Sequence, residues 1–362
     1  MSNRTLLDKL KGYTRTFVVH SNTSPYAAAA AMGAAIGRSQ ARGPYFHLAA
    51  ERKSGVQSEA GTGGACELAP SNLTVDFRGD WAEFLRQQGM AICGLNYDHS
   101  RTLEENTMRY LNAHRRIPIT APRAVLESRE LSVPQEYEAD YVALRSLISS
   151  GGDLKPYLSR DIIKKKRPDK NDGLLNAWGI QHLHFRPWPE STAHILLCKI
   201  TDTDVFVVQA LPHDHDVWVD TSLLQILHDN WPEEINAGKW HGVPGEAIAS
   251  SERLNLRNQN ANFATTTRDG TAYLAPGGGL MASGGCSEDR TDCDKIFAEL
   301  AYWQELVSSN AVRFRAALSW PASKELSIKM SFADRECSLY EPTTGARLSL
   351  TIQESGVRTA PD

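Results

Sequence analysis

The chain has 362 residues, of which 41% are hydrophobic and 23% charged, and its formal net charge is −4. That length accommodates two or three domains with cores of their own, and the composition excludes a disordered or fibrous protein. A slightly acidic balance removes any global attraction to nucleic acid or membrane, so such contacts would have to be local.

Six scattered cysteines include no Cys-x-x-Cys pair, which excludes the usual zinc and redox spacings, and so few in a chain this long argue against a disulfide framework. Residues 1–12 contain no apolar secretory core, and the alanine-rich run 26–36 is too short to span a bilayer. The expectation is a cytoplasmic protein without a membrane segment.

Residues 14–20 read as a strand and 27–36 as a buried alanine-rich helix. Residues 51–70 are rich in Gly and Ser and read as a loop. The GTGGAC within it lacks the Gly-Lys-Ser/Thr ending that a phosphate loop needs. A strand is expected over 73–77, then a helix over 81–88 capped by Asp80 and ended by Gly89, then a short strand over 90–95. Thr102 and Glu105 form a capping box for a helix running to about His114. Residues 115–131 look extended. Ser132, Pro134 and Gln135 open a helix that Gly151 ends, and a shorter helix over 154–163 leads into Lys164, Lys165, Lys166 and Arg167. Those four cations fit a solvated helix end, and in the functional reading they contact nucleic-acid phosphate.

The middle of the chain carries the densest chemistry. Four of the 11 histidines fall there as two His-x-His pairs, His182/His184 and His213/His215. Residues 180–185 alternate as a strand does, which puts His182 and His184 on one face about 7 Å apart. Strands over 193–200 and 205–211 follow as a hairpin, with His213, Asp214, His215 and Asp216 on the loop after Pro212, and a short helix over 222–230 closes the region. Residues 241–285 read mostly as loop or short elements, and the five glycines of 275–286 suit a tight turn or a close wrap around a ligand. A helix over 293–308 and strands over 312–318, 326–332 and 348–352 complete the chain. The fold expectation is α+β: an N-terminal domain over 1–131, a central domain over 132–240 with a small antiparallel sheet packed on helices, and a Gly-rich loop plus α+β module over 241–362.

Two helices, a three-strand meander, a histidine-rich loop and a short helix over residues 132–234 give an element order that resembles the RelE/ParE-type toxin fold. The placement of His182 and His184 on the first strand, Arg186 after it and His213 at the end of the third carries the resemblance. It implies a metal-independent endoribonuclease, a toxin or defence effector acting on RNA and held by an antitoxin or other protein partner. His182 or His184 would be the base, His213 the acid and Arg186 the phosphate contact; Trp178, Trp188 or Trp218 would stack on bases if exposed and otherwise pack in the core. Residue chemistry alone leaves two alternatives. His182, His184, His213 and His215, with Asp214 or Asp216, could ligate zinc or iron in a metal-dependent hydrolase or nuclease. Otherwise the histidines are structural and the chain is a binding or regulatory protein.

Overall fold

A computed structural model describes residues 15–22, 72–159, 172–190, 192–214, 216–241, 248–333 and 336–354. The helix expected over 27–36, the loop 51–70, the four cations Lys164, Lys165, Lys166 and Arg167, and His215 lie outside the described residues. In chain order the first elements are β1 (Arg15–Asn22), β2 (Leu73–Val75), α1 (Phe77–Phe84), α2 (Leu103–Arg116), β3 (Ala124–Glu127), α3 (Glu138–Ser150), α4 (Gly173–Trp178) and β4 (Gln181–His184). Then come β5 (His194–Ile200), β6 (Asp204–Pro212), α5 (Ser222–Asn230), β7 (Lys239–Trp240), α6 (Ser250–Asn258), β8 (Ala264–Thr266) and β9 (Ala272–Leu274). The last are α7 (Ser287–Ser309), α8 (Ala311–Ala317), β10 (Leu326–Ala333), β11 (Glu336–Tyr340) and β12 (Arg347–Glu354).

The architecture is α+β. Two compact units divide the described residues: 15–22, 72–84 and those from 296 to 354 belong to one, and those from 85 to 295 to the other. The first therefore draws on N-terminal and C-terminal stretches of the chain. Its sheet has the order β1-β12-β11-β10-β2, with β2 parallel to β10 and the other pairs antiparallel. Strand β10 alternates as a half-buried strand should: Leu326, Ile328, Met330 and Phe332 are buried. Phe77 and Trp81 of α1 pack there, with the Trp81 ring edge-on to Phe332 at 5.1 Å. Asp80 is not the helix cap that its position suggests. The helix starts at Phe77, and the buried Asp80 carboxylate instead accepts the Met330 N–H at 2.8 Å.

In the second unit the Thr102 capping box is present, with Thr102 and Glu105 each accepting the other's backbone N–H, and it opens α2. Residues 90–95 are a helical turn rather than a strand. Leu95 and Gly94 donate back to the Met90 and Ala91 carbonyls, and Gly94, at φ 71°, makes the left-handed exit that closes it. Around it, Met90, Cys93 and Leu95 are buried, a spacing that short apolar runs share between helix and strand. Of the helix expected over 154–163, the described part is a single 3-10 turn, Lys155–Tyr157.

The central sheet has the order β3-β6-β5-β4, with β3 parallel to β6 and the rest antiparallel. Both faces of β5 and β6 are covered, which is why they read as continuous apolar runs. On one face, Leu144 and Ile148 of α3 pack with Leu183, Leu196, Cys198 and Val207. On the other, Leu223 and Leu227 of α5 pack with Ile195, Leu197, Val208 and Trp178. Strand β4 is an edge of this sheet, and its residues alternate buried, half-buried, buried, half-buried.

The short elements expected within residues 241–285 are α6 and the β8–β9 hairpin, which pairs with β7. The glycine run serves the protein's own backbone. Gly277 and Gly279 donate N–H groups to the Ala177 and Asn176 carbonyls, satisfying the C-terminal end of α4. A Cβ at Gly277 would collide with the Leu175 carbonyl oxygen and the Gly179 nitrogen, so glycine is required for that approach. Residues 312–318, expected as a strand, form α8 instead. Ala311 and Phe314 point inward at helical spacing, and Val312 is exposed.

Candidate metal centre

Strand β4 places His182 and His184 on one face by simple alternation, with Gln181 and Leu183 buried on the other. Their cross-strand partners on β5 are Leu197 and Ile195, which belong to the core under α5, so the histidines continue that face to the sheet edge. Behind β4, the Gln181 side chain donates to the Arg115 carbonyl at 2.9 Å, which ties the strand to the C-terminal turn of α2.

His213 reaches the same face through an irregularity. Pairing of β5 with β6 shifts register between Leu197 and Cys198, where Gln209 pairs with Leu197 but Val207 pairs with Cys198. The extra residue resets the alternation of β6, so that Val208 and Leu211, three apart, both serve the core under α5. His213 keeps the phase of Leu211. A strictly alternating strand would have sent it to the opposite face. Pro212 has no N–H to give, and the ladder resumes at His213, whose N–H donates to the Ala193 carbonyl at 2.8 Å.

The three rings converge. Centroids lie 5.9 Å apart for His182 and His184, 5.8 Å for His182 and His213, and 5.5 Å for His184 and His213. One nitrogen from each ring lies within 4.8 Å of the other two. Ligand nitrogens around tetrahedral zinc sit about 3.3 Å apart for zinc–nitrogen bonds of about 2.0 Å, so modest ring rotations close the set. His182 and His184 are half-buried and His213 is exposed, which leaves the cluster open on one side.

Two further groups shape it. The Asp214 carboxylate accepts the Val217 N–H at 3.3 Å and caps a 3-10 turn, Asp216–Val219, whose Val217 and Val219 are buried. Between them Trp218 stands edge-on to His182 at 5.2 Å and to His213 at 5.7 Å. Thr192 gives its hydroxyl proton to the His194 carbonyl at 2.7 Å, so toward His184 Nδ1, 3.4 Å away, it can only accept. That arrangement favours the His184 tautomer with the lone pair on Nε2, as a ligating imidazole requires.

The other candidates lie elsewhere. Arg186 is held by Asp140 at 2.9 Å and Glu190 at 3.8 Å, over the Tyr137 ring on the α3 side of the sheet. Trp178 is core, 2% exposed, and Trp188 is on the surface. Neither Thr192 nor the register shift at Gln209 carries a sequence signal that points to a site. The chain matches no known protein-family model, no curated protein and no solved structure. Among the described residues, no helix is long and apolar enough to cross a membrane.

Proposed function

We propose that His182, His184 and His213 hold a single divalent transition metal and that the protein is a metal-dependent hydrolase. The observation that carries this reading is the convergence of one nitrogen from each of three imidazoles within 4.8 Å, on an open side of the sheet. The group contains imidazole alone, which suits zinc better than the two-histidine, one-carboxylate arrangement typical of iron. Such an ion, once bound, supplies a Lewis acid that brings the pKa of a water molecule down toward neutrality. The chain's own contribution is positional: β4 fixes two ligands, the ladder bond to Ala193 fixes the third, and Trp218 walls one side against solvent.

A second reading, metal-independent RNA cleavage, draws on the same cluster. The 5.8 Å between the His182 and His213 rings suits a base and an acid acting on one phosphodiester. Its weak point is charge, since Arg186 is committed to two carboxylates. An antitoxin-like protein partner belongs to this reading only. One experiment separates the two: metal content of the purified protein, measured beside RNA cleavage with and without EDTA. Bound zinc near one per chain, with EDTA-sensitive hydrolysis lost in His182→Ala and His213→Ala, supports the metal centre. EDTA-resistant cleavage by metal-free protein that depends on the same residues overturns it in favour of the second reading.

A further inference from the structure

Two of the largely buried arginines in the second unit, Arg115 and Arg257, are treated differently by their surroundings. Arg115 meets Asp289 at 3.0 Å and the side-chain oxygen of Asn176. Arg257, in the last turn of α6, is 8% exposed, and its Nε, Nη1 and Nη2 atoms have no hydrogen-bond partner among the described residues. Its guanidinium lies 4.1 Å from the centroid of the Trp178 ring and 5.8 Å from that of Phe263. Ring faces and the C-terminal end of a helix dipole offset part of the charge, but they give none of the five N–H donors an acceptor.

The neighbourhood adds positive charge. Arg253, one turn earlier on α6, uses its donors on neutral oxygens, those of Val219, Ile248 and Ser250. The acid that acts on Arg257, Asp172, already accepts the Leu174 and Leu175 N–H groups as the cap of α4. Burial first, and Arg253 second, hold the Arg257 pKa down to about 10. A buried fork of donors beside a second guanidinium lacks a dianion more conspicuously than a single carboxylate.

We infer that Arg257, seated on Trp178 and backed by Arg253, is an anion-binding site that takes a phosphate group. Bidentate Arg–phosphate geometry uses the donors that the fold leaves unused, and the paired positive charge matches the double negative charge of phosphate near neutral pH. The site stands apart from the histidine reading and holds or fails without it.

The test is thermal unfolding of the full chain in inorganic phosphate against chloride at matched ionic strength. At roughly ten times the dissociation constant, phosphate should raise the midpoint of the wild-type protein by about 3 °C. Arg257→Met, which keeps the apolar stem and removes the fork, should abolish that rise. If the Met variant does not fold, Arg257→Lys reads the same point, because a point charge replaces the fork and phosphate should bind at least about 10-fold more weakly. A wild-type midpoint indifferent to phosphate overturns the inference, as does an equal rise in Arg257→Met or equal phosphate affinity in Arg257→Lys.

Discussion

The two faces of the central sheet handle polar groups in opposite ways. On the α3 face charges are matched: Arg186 meets Asp140, and Glu127 meets both Tyr141 and Arg145. On the α5 face like gathers with like, three imidazoles at the sheet edge, and elsewhere in that same unit Arg257 stands beside Arg253. Matched groups complete one another and serve the fold. At the sheet edge three imidazole nitrogens converge, whereas His228 of α5 meets Asp269, and that difference is the ground on which a metal is proposed there.

The largest effect is expected from putting His213 out of phase with Leu211. Inserting one alanine between Leu211 and Pro212 should turn His213 to the α3 face and eliminate stoichiometric metal, while circular dichroism still reports a folded α+β chain. A core variant separates stability from site chemistry. Leu183→Ala, at a fully buried position facing α3, should cost about 2–5 kcal/mol in urea unfolding yet leave metal stoichiometry intact below the transition. Smaller again is Thr192→Val, which removes the oxygen facing His184 Nδ1 and should weaken metal affinity about 10-fold, measured by competition with a chelating dye. Least of all, Arg186→Ala should leave metal affinity unchanged and lower stability only slightly, because Arg186 is itself exposed and its pairs with half-buried Asp140 and exposed Glu190 are screened by solvent. A loss of metal binding in Arg186→Ala would mean that the two faces are not separate in function.

Much of the central unit was legible in the sequence because its signals agree with one another. The runs that became β5 and β6, the alternation of β4, the capping box at Thr102 and the apolar spacing of α5 each combine a period with a boundary residue. Residues 90–95 and 312–318 were misread because a few apolar residues at mixed spacing satisfy both periods, and tertiary burial of Met90, Cys93 and Phe314 decided for helix. β11 went unread because ECSLY, although it alternates polar and apolar residues, is only five residues long and is specified by pairing with β10. The site was half legible. His182 and His184 share a face by local geometry alone, whereas the approach of His213 depends on a register shift between two strands, and the isolation of Arg257 depends on which carboxylates the fold left elsewhere.

The measurement that bears most directly on the central claim is calorimetric titration of metal-free protein with zinc at neutral pH. One site per chain is expected, with affinity reduced by more than about 100-fold in each of His182→Ala, His184→Ala and His213→Ala, since even the outer partners of a metal site are worth about 10–100-fold. Zinc binding that survives all three substitutions, or no binding by the folded wild-type chain, would contradict it.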